Sequence, residues 1–78
     1  MEIYGNKLSD TEKTNLIQLN NVAFSVDRDA LNELAKFFTY AVAEYDRLGD
    51  DFNHVHLQDK WSGWNSELPD IQIINASA

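Results

Sequence analysis

From Leu31 to Leu48 apolar side chains recur every third or fourth residue: Leu31, Leu34, Phe38, Val42 beside Ala41, Tyr45 and Leu48. That spacing matches the 3.6-residue period of an α-helix and predicts one apolar stripe about five turns long. Asp27 or Asp29 supplies a carboxylate that accepts the free amides of the first turn and suits the positive end of the helix dipole. Gly49 stands where a left-handed carboxy-terminal cap belongs, and Asp50-Asp51 break the pattern beyond it. Ala35 and Ala41 leave the backbone free to approach a sheet closely.

On either side of this helix the period shortens to two. Met1 to Gly5 sets Ile3 against Glu2 and Tyr4 and closes on Gly5-Asn6, a pair suited to a turn. Lys7 to Asn15 is polar; Ser9-Asp10-Thr11-Glu12 can cap a helical turn, but the segment has no apolar periodicity and reads as a loop. Between Leu16 and Val26 the alternation changes phase, with Ile17 and Leu19 odd-numbered and Val22, Phe24 and Val26 even-numbered. A tight turn or a bulge at Asn20-Asn21 would each bring both sets to one face, and a bulged strand is favoured because so short a first arm makes a weak hairpin. After the helix come a strand from Phe52 to Gln58, a loop from Asp59 to Pro69, and a last strand from Ile71 to Asn75.

These elements predict one α+β domain spanning residues 1–78: a small, mostly antiparallel sheet of about four strands with one long helix packed on one face, in the order β-β-α-β-β. One helix covers one face. The other would carry Tyr4, Ala23, Ser25, His54, His56, Gln72 and Ile74, open to a partner or to a second copy of the chain.

The chemistry concentrates after the helix. Both histidines and both tryptophans of the chain fall between His54 and Trp64. On a strand His54, His56 and Gln58 share one face while Val55 and Leu57 share the other, so the apolar pair turns inward and the imidazoles outward. His54 and His56 at this spacing can ligate a metal with Asp59 as a third donor, although two histidines without cysteine are too few for a closed structural site. Asp59 can also orient an imidazole, but no nucleophile, oxyanion donors or Gly-rich loop complete a catalytic site, so a non-enzymatic role is expected. Trp61 and Trp64 flank a Ser62-Gly63 turn that can set both rings on one side. Trp61 also suits capping of a small core, and Trp64 is the better contact residue. Glu44, Asp46, Asp50 and Asp51 gather at the helix carboxy terminus, where negative charge opposes the dipole.

Charge and composition narrow the partners. Thirteen acidic residues against six basic ones give a formal net charge of −7, which disfavours nucleic acid and anionic membranes and fits a basic partner. At 44% hydrophobic and 24% charged residues the chain has a globular balance. It has no cysteine, which suits a reducing cytoplasm, and neither a signal peptide nor an apolar run of membrane-spanning length is legible.

The strand Ile17 to Val26, Asp27 and Leu31 opening an Ala/Phe-rich helix, Phe52, the run His54-x-His56-Leu57-Gln58-Asp59, and Pro69-Asp70-Ile71 together resemble bacterial polymorphic-toxin immunity proteins of family 32. The similarity runs from about Leu16 to Asn75, and Val55 stands where the pattern often has an acidic residue. The resemblance implies a cytoplasmic inhibitor that binds a cognate toxin, such as a basic nuclease-type domain, and occludes its active site or substrate groove. His54, His56, Gln58, Asp59, Trp61, Trp64, Tyr4, Asp50 and Asp51 are the contact residues this reading selects, with no cofactor. Two alternatives stand beside it: a homo-oligomeric structural or regulatory domain that buries its open sheet face, and a metal-binding domain using His54, His56 and Asp59.

Overall fold

The computed structural model describes residues 1–7 and 17–77. Its elements are strands β1 (Glu2–Lys7) and β2 (Leu19–Ser25), helix α1 (Arg28–Leu48), and the short strands β3 (His54–His56) and β4 (Gln72–Ile74). Two 3₁₀ turns, Gly49–Asp51 and Leu57–Asp59, lead into and out of β3. This is the α+β class and the element order that the sequence predicts.

The ends of α1 are set by local chemistry. Asp27, in extended conformation, accepts a hydrogen bond from the Ala30 amide at 2.8 Å through Oδ1, which satisfies one free donor of the first turn. At the other end Gly49 takes φ 56° and donates its amide to the Tyr45 carbonyl, a conformation that only glycine adopts without strain.

The helix is turned differently from the predicted stripe. Its buried residues are Ala30, Leu34, Phe37 and Ala41; Leu31, Phe38, Val42 and Tyr45 are between 38 and 61% exposed. The apolar arc of α1 is wider than one contact face, and the half covered is the one centred near Phe37. There Leu34, Phe37 and Leu57 form a core against which Met1, Val26, Val55, Trp61, Trp64, Ile71 and Ile73 pack. Of the two alanines expected to lie against a sheet, Ala41 is buried and Ala35 is exposed.

The strands form two separate two-stranded antiparallel sheets, β1-β2 and β3-β4, where one sheet was expected. Gly5-Asn6 is not a turn but lies within β1, paired with Val22 and Asn21. A Cβ at Gly5 would stand 2.6 Å from Cδ1 of Leu19 and 3.0 Å from the Asn21 carbonyl oxygen, so a larger residue there would first have to displace the Leu19 side chain. The phase change resolves as a bulge: Asn6 pairs with Asn21 and Lys7 with Leu19, which leaves Asn20 as the extra residue. The predicted loop at Lys7 to Asn15 lies, beyond Lys7, outside the described residues.

The β1-β2 hairpin meets the core through Met1 and Val26, and every residue of β2 is exposed.

Candidate docking face

The β3-β4 ladder fixes which way the histidines point. His54 pairs with Ile74, Val55 with Ile73 and His56 with Gln72. The amide of Leu57 donates to the Ile71 carbonyl at 2.8 Å and that of Asn75 to Asn53 at 2.8 Å, so the odd-numbered residues form the hydrogen-bonded pairs of this ladder. Val55 and Ile73 face inward and pack on the core of α1, and Leu57 is fully buried. His54, Ile74, His56 and Gln72 therefore share the outward face, as the alternation predicts. Ile74 is 54% exposed on it. By the same register, the peptide groups of His54 and His56 point away from β4 towards the free edge of β3.

The two imidazoles stand edge to face, with ring centroids 5.0 Å apart and planes at 88°. Each is held at Nδ1. His54 bonds Asn53 Oδ1 at 2.6 Å, and His56 bonds Asp70 Oδ2 at 2.5 Å. The other oxygen of Asp70 accepts the Gln58 amide at 3.0 Å, so one carboxylate ties β3, the turn after it and the approach to β4. Burial alone would push the Asp70 carboxyl up, but the Gln58 amide, the His56 ring and the Ile71 amide outweigh it and hold the carboxyl below its usual range.

A depressed carboxylate stabilises the fold at pH values above its unfolded pKa of about 4, and that stability is lost as pH falls through the lower folded value. Urea midpoints measured from pH 7 to pH 2.5 are accordingly expected to fall more steeply for the wild type than for Asp70→Asn. Parallel curves would show that this carboxylate adds nothing to the fold.

A shallow groove of about 260 Å³ runs beside β3, lined by Tyr40, Glu44, His54, Val55, His56, Asp59 and Lys60. Lys60 Nζ sits 4.1 Å over the Tyr40 ring. Glu44 is bound by Arg47 through two hydrogen bonds, at 2.6 and 3.2 Å, and this pairing holds its carboxyl below the usual range. The acidic group expected at the helix end is thus partly compensated within α1.

The residues picked out by sequence separate into several groups. His54 and His56 lie on the outward face, and Gln58 and Asp59 occupy the exposed turn that follows. Asp50 and Asp51 form the exposed turn that leads to β3. Tyr4 is 57% exposed but belongs to the hairpin, where it pairs with Ala23 and its hydroxyl donates to Glu2. Trp61 and Trp64 are partly buried and pack on the core. Trp64 also donates its indole N–H to the Pro69 carbonyl at 3.0 Å, so this ring is used in holding the loop. Trp64, expected to be the better contact residue of the two tryptophans, thus also has a structural role.

The partner of His56 is Asp70 and not Asp59. Among the described residues no group of three or more His, Cys, Asp or Glu side chains is placed to hold a metal ion. Asp70 figured in the sequence only within the Pro69-Asp70-Ile71 motif, and neither it nor Asn53 was selected as a site residue. Asp70 stands 14 residues from His56, and only the strand pairing brings them together. Among the described residues no helix is long and apolar enough to cross a membrane. No family model matches the chain, and neither curated proteins nor solved structures yield a match.

Proposed function

We propose that the protein is an immunity protein that binds a cognate bacterial toxin stoichiometrically in the cytoplasm and occludes its active site or substrate groove. The observation that carries this reading is the outward face of β3-β4. It exposes Ile74 beside two anchored imidazoles, it is entered from Asp50 and Asp51 and left through Asp59, and the chain bearing it has a net charge of −7. An apolar centre with an acidic surround suits a basic protein surface: carboxylates accelerate encounter, and desolvated side chains retain the complex. The resemblance of the His54 to Asp59 run to immunity proteins supports the same reading.

The test is co-expression with the toxin encoded beside it. The wild-type chain is expected to restore growth and to co-purify with the toxin in a one-to-one complex. Ile74→Asp, at an exposed site that the fold does not need, is expected to weaken the complex at least tenfold while leaving the circular dichroism spectrum unchanged. A toxin that neither co-purifies nor loses toxicity overturns the proposal.

A further inference from the structure

The outward face of β3 carries two nitrogen donors side by side. His54 and His56 stand two residues apart on one strand, so they project to the same side, and both line the groove beside it. Each ring is gripped at Nδ1 by an oxygen: the side-chain carbonyl of Asn53 at 2.6 Å and the carboxylate of Asp70 at 2.5 Å. Such oxygens only accept. Each neutral imidazole therefore carries its hydrogen on Nδ1 and its lone pair on Nε2, and among the described residues neither Nε2 is engaged in a hydrogen bond.

We infer that His54 and His56 form a chelating site for a divalent transition-metal ion of the zinc, nickel and copper class, held between the two Nε2 atoms and completed by water. The anchoring is the first observation that carries it. A histidine that ligates a metal commonly donates its other ring N–H to a carboxylate or a carbonyl, which fixes the ring and its tautomer and makes the ligating nitrogen more basic. Both rings are held in that way. The second observation is distance. Two imidazoles that bind one ion through nitrogens at about 2.0 to 2.1 Å, with an angle of about 90 to 110° at the metal, have ring centroids about 4.5 to 5.2 Å apart. Here the centroids are 5.0 Å apart. The 88° between the planes is no obstacle, because each ring can take any angle about its own metal–nitrogen bond.

Charge is the third observation. The exposed turns on either side of β3 bring Asp50 and Asp51 before the histidines and Asp59 after them, and a chain of net charge −7 draws a cation towards this face. No third protein ligand joins the pair. Asp59 and Glu44 line the same groove, but among the described residues no three such side chains can share one ion, and Glu44 is held by Arg47. Two imidazoles with water make an open site, suited to an exchangeable ion rather than to one that the fold depends on. Imidazole donors favour Cu²⁺ most and do not suit Mg²⁺ or Ca²⁺, which take oxygen ligands.

The ion binds the free chain, so the site stands or falls without the immunity reading. Isothermal titration of the untagged full chain at neutral pH is expected to show one Zn²⁺ or Ni²⁺ per chain, tighter binding of Cu²⁺, and no binding of Mg²⁺. His54→Gln and His56→Gln are each expected to weaken Zn²⁺ binding at least about tenfold with the circular dichroism spectrum unchanged. Asp70→Asn keeps His56 but replaces its carboxylate acceptor, and is expected to weaken Zn²⁺ binding about tenfold. Asp59→Asn should change it less than about threefold. In ¹⁵N spectra of the imidazoles, Zn²⁺ is expected to shift Nε2 of both rings more than Nδ1. A chain that does not bind Zn²⁺ or Ni²⁺, or binding indifferent to either histidine variant, overturns the site. Ligation at Nδ1, or an Asp59→Asn loss as large as that of the histidine variants, overturns the Nε2 pair as its donor set.

Discussion

Phe37→Ala is expected to leave the chain largely unfolded in mild denaturant, while Phe38→Ala leaves it folded. The two rings are neighbours in sequence, with centroids 6.0 Å apart, yet Phe37 is 2% exposed and Phe38 40%. Phe37 packs with Leu34 and Leu57 at the one point where helix, β3 and the Trp61 to Pro69 loop converge. Truncating a buried phenylalanine costs about 3 to 5 kcal/mol, from lost transfer energy and from the cavity left behind. A domain of 78 residues has a total stability near the low end of the usual 5 to 15 kcal/mol, so that loss removes most of it. Phe38→Ala removes a ring that is only partly covered and leaves no enclosed cavity, so its cost should stay well below that of Phe37→Ala. Urea titrations followed by circular dichroism decide the matter. If Phe38 proves the costlier, α1 is rotated towards the stripe read from spacing alone.

That comparison also marks how far the sequence is informative. Features that depend on neighbours along the chain were legible: the Asp27 cap, the Gly49 stop, the irregularity at Asn20, and the outward turn of His54 and His56 between Val55 and Leu57. The buried face of α1 was not. Its apolar residues span two adjacent faces, and periodicity measures only that apolar residues recur, not which of them meets a partner. Leu31, Phe38, Val42 and Tyr45 satisfy the helical spacing as well as Ala30, Leu34, Phe37 and Ala41 do. The choice between them is made by the short β3-β4 ladder, which follows later in the chain. The anchoring of Trp64 was hidden for a related reason. A large ring beside a turn looks available, and the carbonyl that fixes it belongs to Pro69. Asp70 likewise gains its role only through strand pairing, which composition and local spacing do not encode.

The second large effect is expected at Asn75, a buried polar residue that no motif singles out. It is 7% exposed at the end of β4, with Nδ2 donating to the carbonyl of fully packed Phe52 at 2.8 Å and Oδ1 accepting the Ser77 amide at 2.9 Å. Its own amide reaches the Asn53 carbonyl, so the residue clasps the end of β4 to the segment that leaves the helix. Asn75→Ala keeps that backbone bond but strands the Phe52 carbonyl, away from water, at a cost of about 1 to 3 kcal/mol.

Asn75→Asp is the more discriminating change. At neutral pH it sets a carboxylate against the Phe52 carbonyl oxygen, whereas a protonated carboxyl can donate to that oxygen. Folding then favours the neutral acid and raises the folded pKa of the new side chain. The penalty of this variant, relative to the wild type, should shrink below the unfolded carboxyl value of about 4 and be complete once pH exceeds the raised folded value. A penalty that ignores pH would mean that the side chain at position 75 does not address Phe52. Since the clasp orients β4 against the end of α1, exchange of the Val55 and Leu57 amides, which belong to the hydrogen-bonded pairs of the β3-β4 ladder, should quicken in both variants. Loss of the proposed toxin complex in these variants, with Ile74 and both imidazoles still present, would then reflect a loosened scaffold rather than lost contacts.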